Sequence, residues 1–187
     1  MELFFYPDIT EKADAYALLA YAVQKVYSLD SLPAISRTEH GKPFFPDHPQ
    51  LQFNLSHSGR FALCALDDFP VGVDIECVRP HHPRLAQRIC SPAELEWINV
   101  QADPQRALLS LWTKKEARVK QDGCGLTIPL REISVSFDED ADWDGLHFCS
   151  LYGHGWVGAV CGHSSPTALH TVTADRLKKL DTTNHKC

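Results

Sequence analysis

Two carboxylates, Asp74 and Glu76, stand one apolar residue apart in the run Val71-Gly72-Val73-Asp74-Ile75-Glu76. In an extended chain residues i and i+2 point to the same face, so both acids share one side of a strand. Carboxylates held that close repel unless a cation stands between them. Hard oxygen ligands with positions left for water suit magnesium better than zinc. A second run, Trp112-Thr113-Lys114-Lys115-Glu116-Ala117-Arg118-Val119-Lys120, carries what the pair lacks. On a helix Trp112, Glu116 and Lys120 recur at steps of four and form one stripe. Alone, that stripe is an amphipathic face with a surface Glu–Lys pair worth a few tenths of a kcal/mol. Brought against Asp74 and Glu76, Glu116 completes a three-acid magnesium site, with Lys120 one turn away to meet phosphate oxygens.

Other residues invite chemistry less firmly. In Phe53-Asn54-Leu55-Ser56-His57-Ser58 a hydroxyl adjoins an imidazole. Neighbouring side chains of an extended chain point apart, so a shared proton and a serine-hydrolase mechanism are disfavoured. Anion binding at a strand-to-turn junction suits Ser56 and His57 better, with a structural histidine equally open. Lys42, between Gly41 and Pro43, is either a phosphate contact or a solvated turn tip. Cys161-Gly-His163 is half a metal motif with no second pair to complete it.

The elements that must position these residues follow from pattern. Leu3–Tyr6 predicts a strand stopped by Pro7. Asp8 or Thr10 is expected to cap a helix carrying Tyr16, Leu19, Ala20, Val23, Val26 and Tyr27 on its buried stripe and ending near Leu29. The stretch 31–48 is expected to be loop. A three-strand meander is expected from Leu51–Asn54, Phe61–Leu66 and Val71–Glu76, with a turn at Ser56–Gly59. Ser91-Pro92-Ala93-Glu94 is a capping box opening a short helix, and Asp103-Pro104 opens a longer one that stops at Gly123. Strands of a second sheet are expected at Glu132–Phe137, Leu146–Tyr152, Gly155–Val160 and Leu169–Thr173, followed by a loose polar end from Lys178 to Cys187. Both halves share a helix-then-strands order. Two similar lobes are therefore expected, 1–85 and 86–187, with a boundary near residues 78–90 and a ligand cleft between them.

Composition narrows the function. The chain has 187 residues, 44% hydrophobic, enough to bury a core. A net charge of -6 argues against a nucleic-acid partner. No apolar run has membrane-spanning length and the amino-terminal residues lack a signal-peptide pattern, so a cytoplasmic protein with no membrane partner is expected. Seven scattered cysteines without a Cys-x-x-Cys pair are expected to be reduced and mostly buried.

Taken in order, Gly41-Lys42-Pro43, Phe53 to Ser58, Val71 to Glu76 and Trp112 to Lys120 resemble the successive motifs of the 4'-phosphopantetheinyl transferases of the surfactin (Sfp) type. Each motif is short; the four together are specific. The length resembles compact bacterial members acting on acyl carrier proteins. The resemblance implies an α+β fold of two similar lobes forming a pseudo-dimer, with coenzyme A and Mg2+ in the cleft. It implies an enzyme that transfers the 4'-phosphopantetheine group to a serine of an acyl or peptidyl carrier protein, releasing adenosine 3',5'-bisphosphate. By this resemblance Asp74, Glu76 and Glu116 hold the metal, and Ser56 and His57 contact coenzyme A phosphates. Lys42 lies near the nucleotide end, and Lys120 steadies the pyrophosphate. Glu116 is the candidate base for the carrier serine.

The family places arginines in its first long helix, whereas Ala15–Val26 offers only Lys25. The clamp on the 3'-phosphate is thus expected from Lys12, Arg37 or His40. Carrier proteins of this kind are acidic, so docking is expected to use a local basic and apolar patch including Lys114, Lys115 and Arg118. A monomer is expected, since a pseudo-dimer needs no partner subunit. The competing functions are a magnesium-dependent phosphohydrolase built on the same acids, and a non-catalytic protein that binds coenzyme A or a carrier protein.

Overall fold

The computed structural model describes residues 1–80, 84–125 and 128–177. The polar end expected from Lys178 onward lies outside these residues, as does part of the expected lobe boundary. The chain opens with β1 (Glu2–Tyr6), whose side chains alternate between two buried faces. Helix α1 (Lys12–Tyr27) follows, capped by Glu11 rather than Asp8 or Thr10. Asp14 Oδ2 accepts from the amides of Thr10 (2.6 Å) and Glu11 (3.1 Å), which hold its carboxyl below the usual carboxylate range. The buried stripe of α1 is Ala15, Leu18, Leu19, Ala22 and Val23, rotated from the expected one, so that Val26 is exposed.

Two-residue strands β2 (Ser36–Arg37) and β3 (Pro43–Phe44) pair within the expected loop. Strands β4 (Gln52–Ser58) and β5 (Phe61–Asp67) form the expected hairpin, but β4 runs through Ser56 and His57 and turns only at Gly59, where φ is +55°. The next strand, β6 (Gly72–Cys77), leaves the meander. It pairs antiparallel with β9 (Trp156–Gly162), followed outward by β8 (Leu146–Gly153) and β7 (Asp140–Trp143). The fourth expected strand, β10 (Leu169–Thr171), likewise changes sheet and lies parallel to β1. One sheet is thus β10-β1-β5-β4 and the other β6-β9-β8-β7. The division at residue 85 does not coincide with the division into sheets, because each sheet takes a strand from the other side.

Between β6 and β7 come α2 (Leu85–Ile89), α3 (Pro92–Asn99) and α4 (Pro104–Asp122). Ser91 and Glu94 form the expected capping box on α3. Asp103 caps α4, and Gly123 ends it at φ 76°. No strand forms at 132–137; a 3-10 turn, Leu130–Glu132, stands at its start. Among the described residues no helix is long and apolar enough to cross a membrane. The six described cysteines are free, three of them buried.

Strand alternation sorts the core into layers. Phe4, Tyr6, Cys64 and Leu66 face α1, whereas Leu3, Phe5, Leu63 and Ala65 face Val73, Ile75, Trp156 and Val160 of the other sheet. Phe148, Ala159 and Cys161 pack beneath Leu111 and Ala117 of α4. The order is helix, sheet, sheet, helix, an α+β architecture. Since Val73 and Ile75 fill the layer between the sheets, Asp74 and Glu76 turn to the face covered by α4.

Candidate active site

The two sheets pack face to face, and where the edge strand β4 of one runs beside the edge strand β6 of the other, side chains bridge the seam. The even-numbered residues of β4 reach across. Asn54 Oδ1 accepts from Val73 N at 3.0 Å, Ser56 Oγ donates to Asp74 Oδ1 at 2.7 Å, and Ser58 Oγ donates to Glu76 Oε2 at 2.8 Å while accepting from Cys77 N at 3.2 Å. Polar side chains of β4 stand in for a backbone ladder here, taking the amides of Val73 and Cys77. His57, at the intervening position, is exposed, so it and Ser56 point apart as expected.

Helix α4 supplies the rest. Lys120 Nζ donates to Asp74 Oδ1 at 2.6 Å and to Ser56 Oγ at 3.0 Å, closing a triangle of carboxylate, hydroxyl and ammonium. Asp74 is 4% exposed, and its other oxygen, Oδ2, is buried with no hydrogen-bond partner among the described residues. Burial, seconded by the negative charge of Asp74, lifts the Glu116 carboxyl above the usual range, against the pull of Lys120 and a hydrogen bond from the Trp112 side chain. Burial likewise lifts Glu76, with Asp74 adding to it and the Ser58 hydrogen bond opposing. Glu76 and Glu116 thus each feel the charge of Asp74. The three acids are not drawn to one point: among the described residues no three His, Cys, Asp or Glu side chains gather as a metal cluster.

The donor set fits a hard divalent cation nonetheless. One buried carboxylate oxygen has no partner among the described residues, two neighbouring carboxyls are destabilised as anions, and the Lys120 ammonium is the local counter-charge.

Lys42 borders a cavity of about 220 Å³ with His40, Gly41, Asn54, Leu55 and Lys120. Its ammonium donates to Gln121 O at 2.7 Å and Val71 O at 3.4 Å, closing the carboxyl end of α4, and burial lowers its pKa. Of the residues expected to clamp a 3'-phosphate, His40 lines this cavity; Arg37 is engaged with Gly41 O and the Tyr16 hydroxyl. On the side of Glu116 lies a groove of about 830 Å³ lined by Leu85, Arg88, Ile89, Trp112, Leu130 and Arg131. A third cavity of about 650 Å³, with Arg118, Trp143 and Phe148, contains none of the residues expected to hold the metal or coenzyme A.

The expected docking patch is corrected. Lys114 and Lys115 are both 0% exposed, their ammoniums bonded to main-chain carbonyls, and Arg118 pairs with Asp122 at 3.4 Å. The two lysines sit inside because α4 is covered by the segments before and after it, whereas Arg118 stays partly exposed. Asn54 and Ser58 were the residues missed. Their period-2 spacing with Ser56 is the signal, usable only once β4 is known to run to Ser58.

A model of the 4'-phosphopantetheinyl transferase superfamily matches residues 70–160. The chain is 35% identical over 166 residues to a 4'-phosphopantetheinyl transferase of Bacillus subtilis, covering 87% of this chain and 68% of that protein. It is 36% identical over 126 residues to 4'-phosphopantetheinyl transferase Sfp of Bacillus subtilis strain 168, covering 66% and 56%. With 4'-phosphopantetheinyl transferase AcpT of Escherichia coli strain K12 it shares 35% over 163 residues, covering 84% and 78%.

Proposed function

The chain belongs to the 4'-phosphopantetheinyl transferase superfamily, and we propose that it moves the 4'-phosphopantetheine group of coenzyme A onto a serine of an acyl or peptidyl carrier protein. The observation that carries this reading is the buried, half-partnered Asp74 at the sheet seam, with Glu76, Glu116 and Lys120 around it. It supports a site that holds a cation beside a phosphate ester.

Asp74, Glu76 and Glu116 are the residues that would hold Mg2+. Bound there, the ion would supply charge neutralisation at the pyrophosphate oxygens. Coenzyme A lies along β4 and the Lys42 cavity, with Ser56 and His57 toward its phosphates and Lys42 and His40 at the nucleotide end. The carrier serine attacks the phosphorus bearing the pantetheine arm. Its Oγ–P bond forms as the bond to the departing adenosine 3',5'-bisphosphate breaks, and Glu116, whose raised pKa suits a base, takes the hydroxyl proton. Lys120, on a stem long enough to leave Asp74, stabilises the charge on the leaving phosphate. In this reading the lobes are 1–85 and 86–187, each completed by a strand of the other, and they form a pseudo-dimer. The protein acts as a monomer in the cytoplasm, without nucleic-acid or membrane partners.

The test is incubation with coenzyme A, Mg2+ and an apo acyl carrier protein. Equal molar yields of phosphopantetheinylated carrier, by intact mass, and of adenosine 3',5'-bisphosphate are expected. Released phosphate with unmodified carrier makes the protein a phosphohydrolase, and binding with neither product makes it a non-catalytic member.

A further inference from the structure

Ser58, the last residue of β4, is 9% exposed, and its hydroxyl accepts from Cys77 N at 3.2 Å while donating to Glu76 Oε2 at 2.8 Å. A serine hydroxyl has one proton, and an amide arriving on its oxygen decides where that proton points. Here it points at the carboxylate. The residue is itself held, because Cys77 Sγ donates to Ser58 O at 3.1 Å and the chain turns next at Gly59, where a Cβ would lie 2.5 Å from that sulfur. Cys77 thus clamps residue 58 twice. Ser56 differs, since its hydroxyl is shared between Asp74 Oδ1 and the Lys120 ammonium. Asn54 differs again: it takes the amide of Val73, next to Asp74, but holds no carboxylate.

We infer that Ser58 is a positioning residue for the metal site: it ties Glu76 Oε2 to the main chain at Cys77 and so fixes the carboxylate that meets the cation. This rests on the three-acid site proposed above. A free carboxylate turns about its last bond, and an ion binding to it must stop that motion. With one oxygen already tied, the ordering is done before the ion arrives. The charges acting on Glu76 are those of Asp74, Arg79 and Lys120. A neutral hydroxyl orients the carboxylate without cancelling the negative charge that attracts a cation.

The test is metal binding, read as free Mn2+ by electron paramagnetic resonance while the protein is titrated, alone and with coenzyme A. Ser58→Ala and Asn54→Ala each leave one β6 amide without its side-chain acceptor, so their structural cost is alike; only the first also releases a carboxylate. We expect Ser58→Ala to weaken Mn2+ binding at least roughly tenfold, and Asn54→Ala by less than about threefold. Ser58→Thr, which keeps the hydroxyl, should bind as wild type does. Equal losses in the two alanine variants, or none in Ser58→Ala, overturn the inference alone. A crystal of the wild type with Mn2+ decides it without any variant: Ser58 Oγ should stay within about 3 Å of a Glu76 oxygen, and a Glu76 that leaves Ser58 to reach the ion overturns the inference. A wild type that takes up no Mn2+ in either titration overturns the three-acid site and the role of Ser58 with it.

Discussion

Asp74 accepts a hydroxyl and an ammonium on one oxygen and nothing among the described residues on the other. A carboxylate so buried is stable as an anion only with cationic partners. Asp74→Asn should keep the fold and cut Mg2+-dependent transfer by at least about 100-fold, since it would remove a proposed ligand from a site whose supporting residues alone are worth about 10–100-fold. Holo-carrier yield against Mg2+ concentration, with circular dichroism as the control, checks this. Glu116 gives a sign that can be tested without turnover. Its pKa is raised in the fold, so between the ordinary glutamate value and the raised one the folded state binds more protons than the unfolded. Metal-free stability therefore falls as pH rises through that window, which opens at about pH 4.3. Urea denaturation in a chelator should find Glu116→Gln more stable than wild type at pH 7, the two converging at acid pH. Asp74, Glu76, Glu116 and Lys120 could be picked out as candidates in the sequence because residue type and local spacing single them out, and the structure sets Lys120 on Asp74 with Glu76 and Glu116 within reach of its charge. Ser58 and Asn54 could not, because their work is done across a seam no local pattern reveals.

The same limit operates between elements. The α3 and α4 boundaries were readable from Ser91, Glu94, Asp103 and Gly123, since caps are local chemistry. The partners of β6 and β10 were not, because an alternating strand fits either sheet until the packing of its faces decides. At 132–137 a strand-like composition stays irregular. The Lys114 ammonium takes Ser136 O (3.1 Å) and Asp138 O (2.6 Å) there, and burial pushes its own pKa down to about 8. Where α4 crosses β6 the fit is closest at Gly72: a Cβ there would lie 2.0 Å from Ala117 O and 2.4 Å from Gln121 N. Gly72→Ala should push α4 outward, costing roughly 1–3 kcal/mol of stability. Because Glu116 and Lys120 ride on α4 and Asp74 on β6, transfer should fall further than stability does. Thermal melts and initial rates at a temperature where the variant remains folded separate the two effects.

At the scale of the molecule, two helix-backed sheets exchange strands and meet face to face over Leu3, Phe5, Val73 and Trp156, so the seam beside α4 is braced from both sides. The expected α+β architecture holds, and the strand exchange explains how acids from before residue 85 come to lie under a helix from after it. The most direct measurement is a crystal of the protein with coenzyme A and Mn2+, examined for anomalous scattering. One peak within bonding distance of carboxylate oxygens of Asp74, Glu76 and Glu116 and of a coenzyme A phosphate is predicted. A peak elsewhere, or one that leaves any of the three acids out of reach, would contradict a three-acid metal site at the sheet seam.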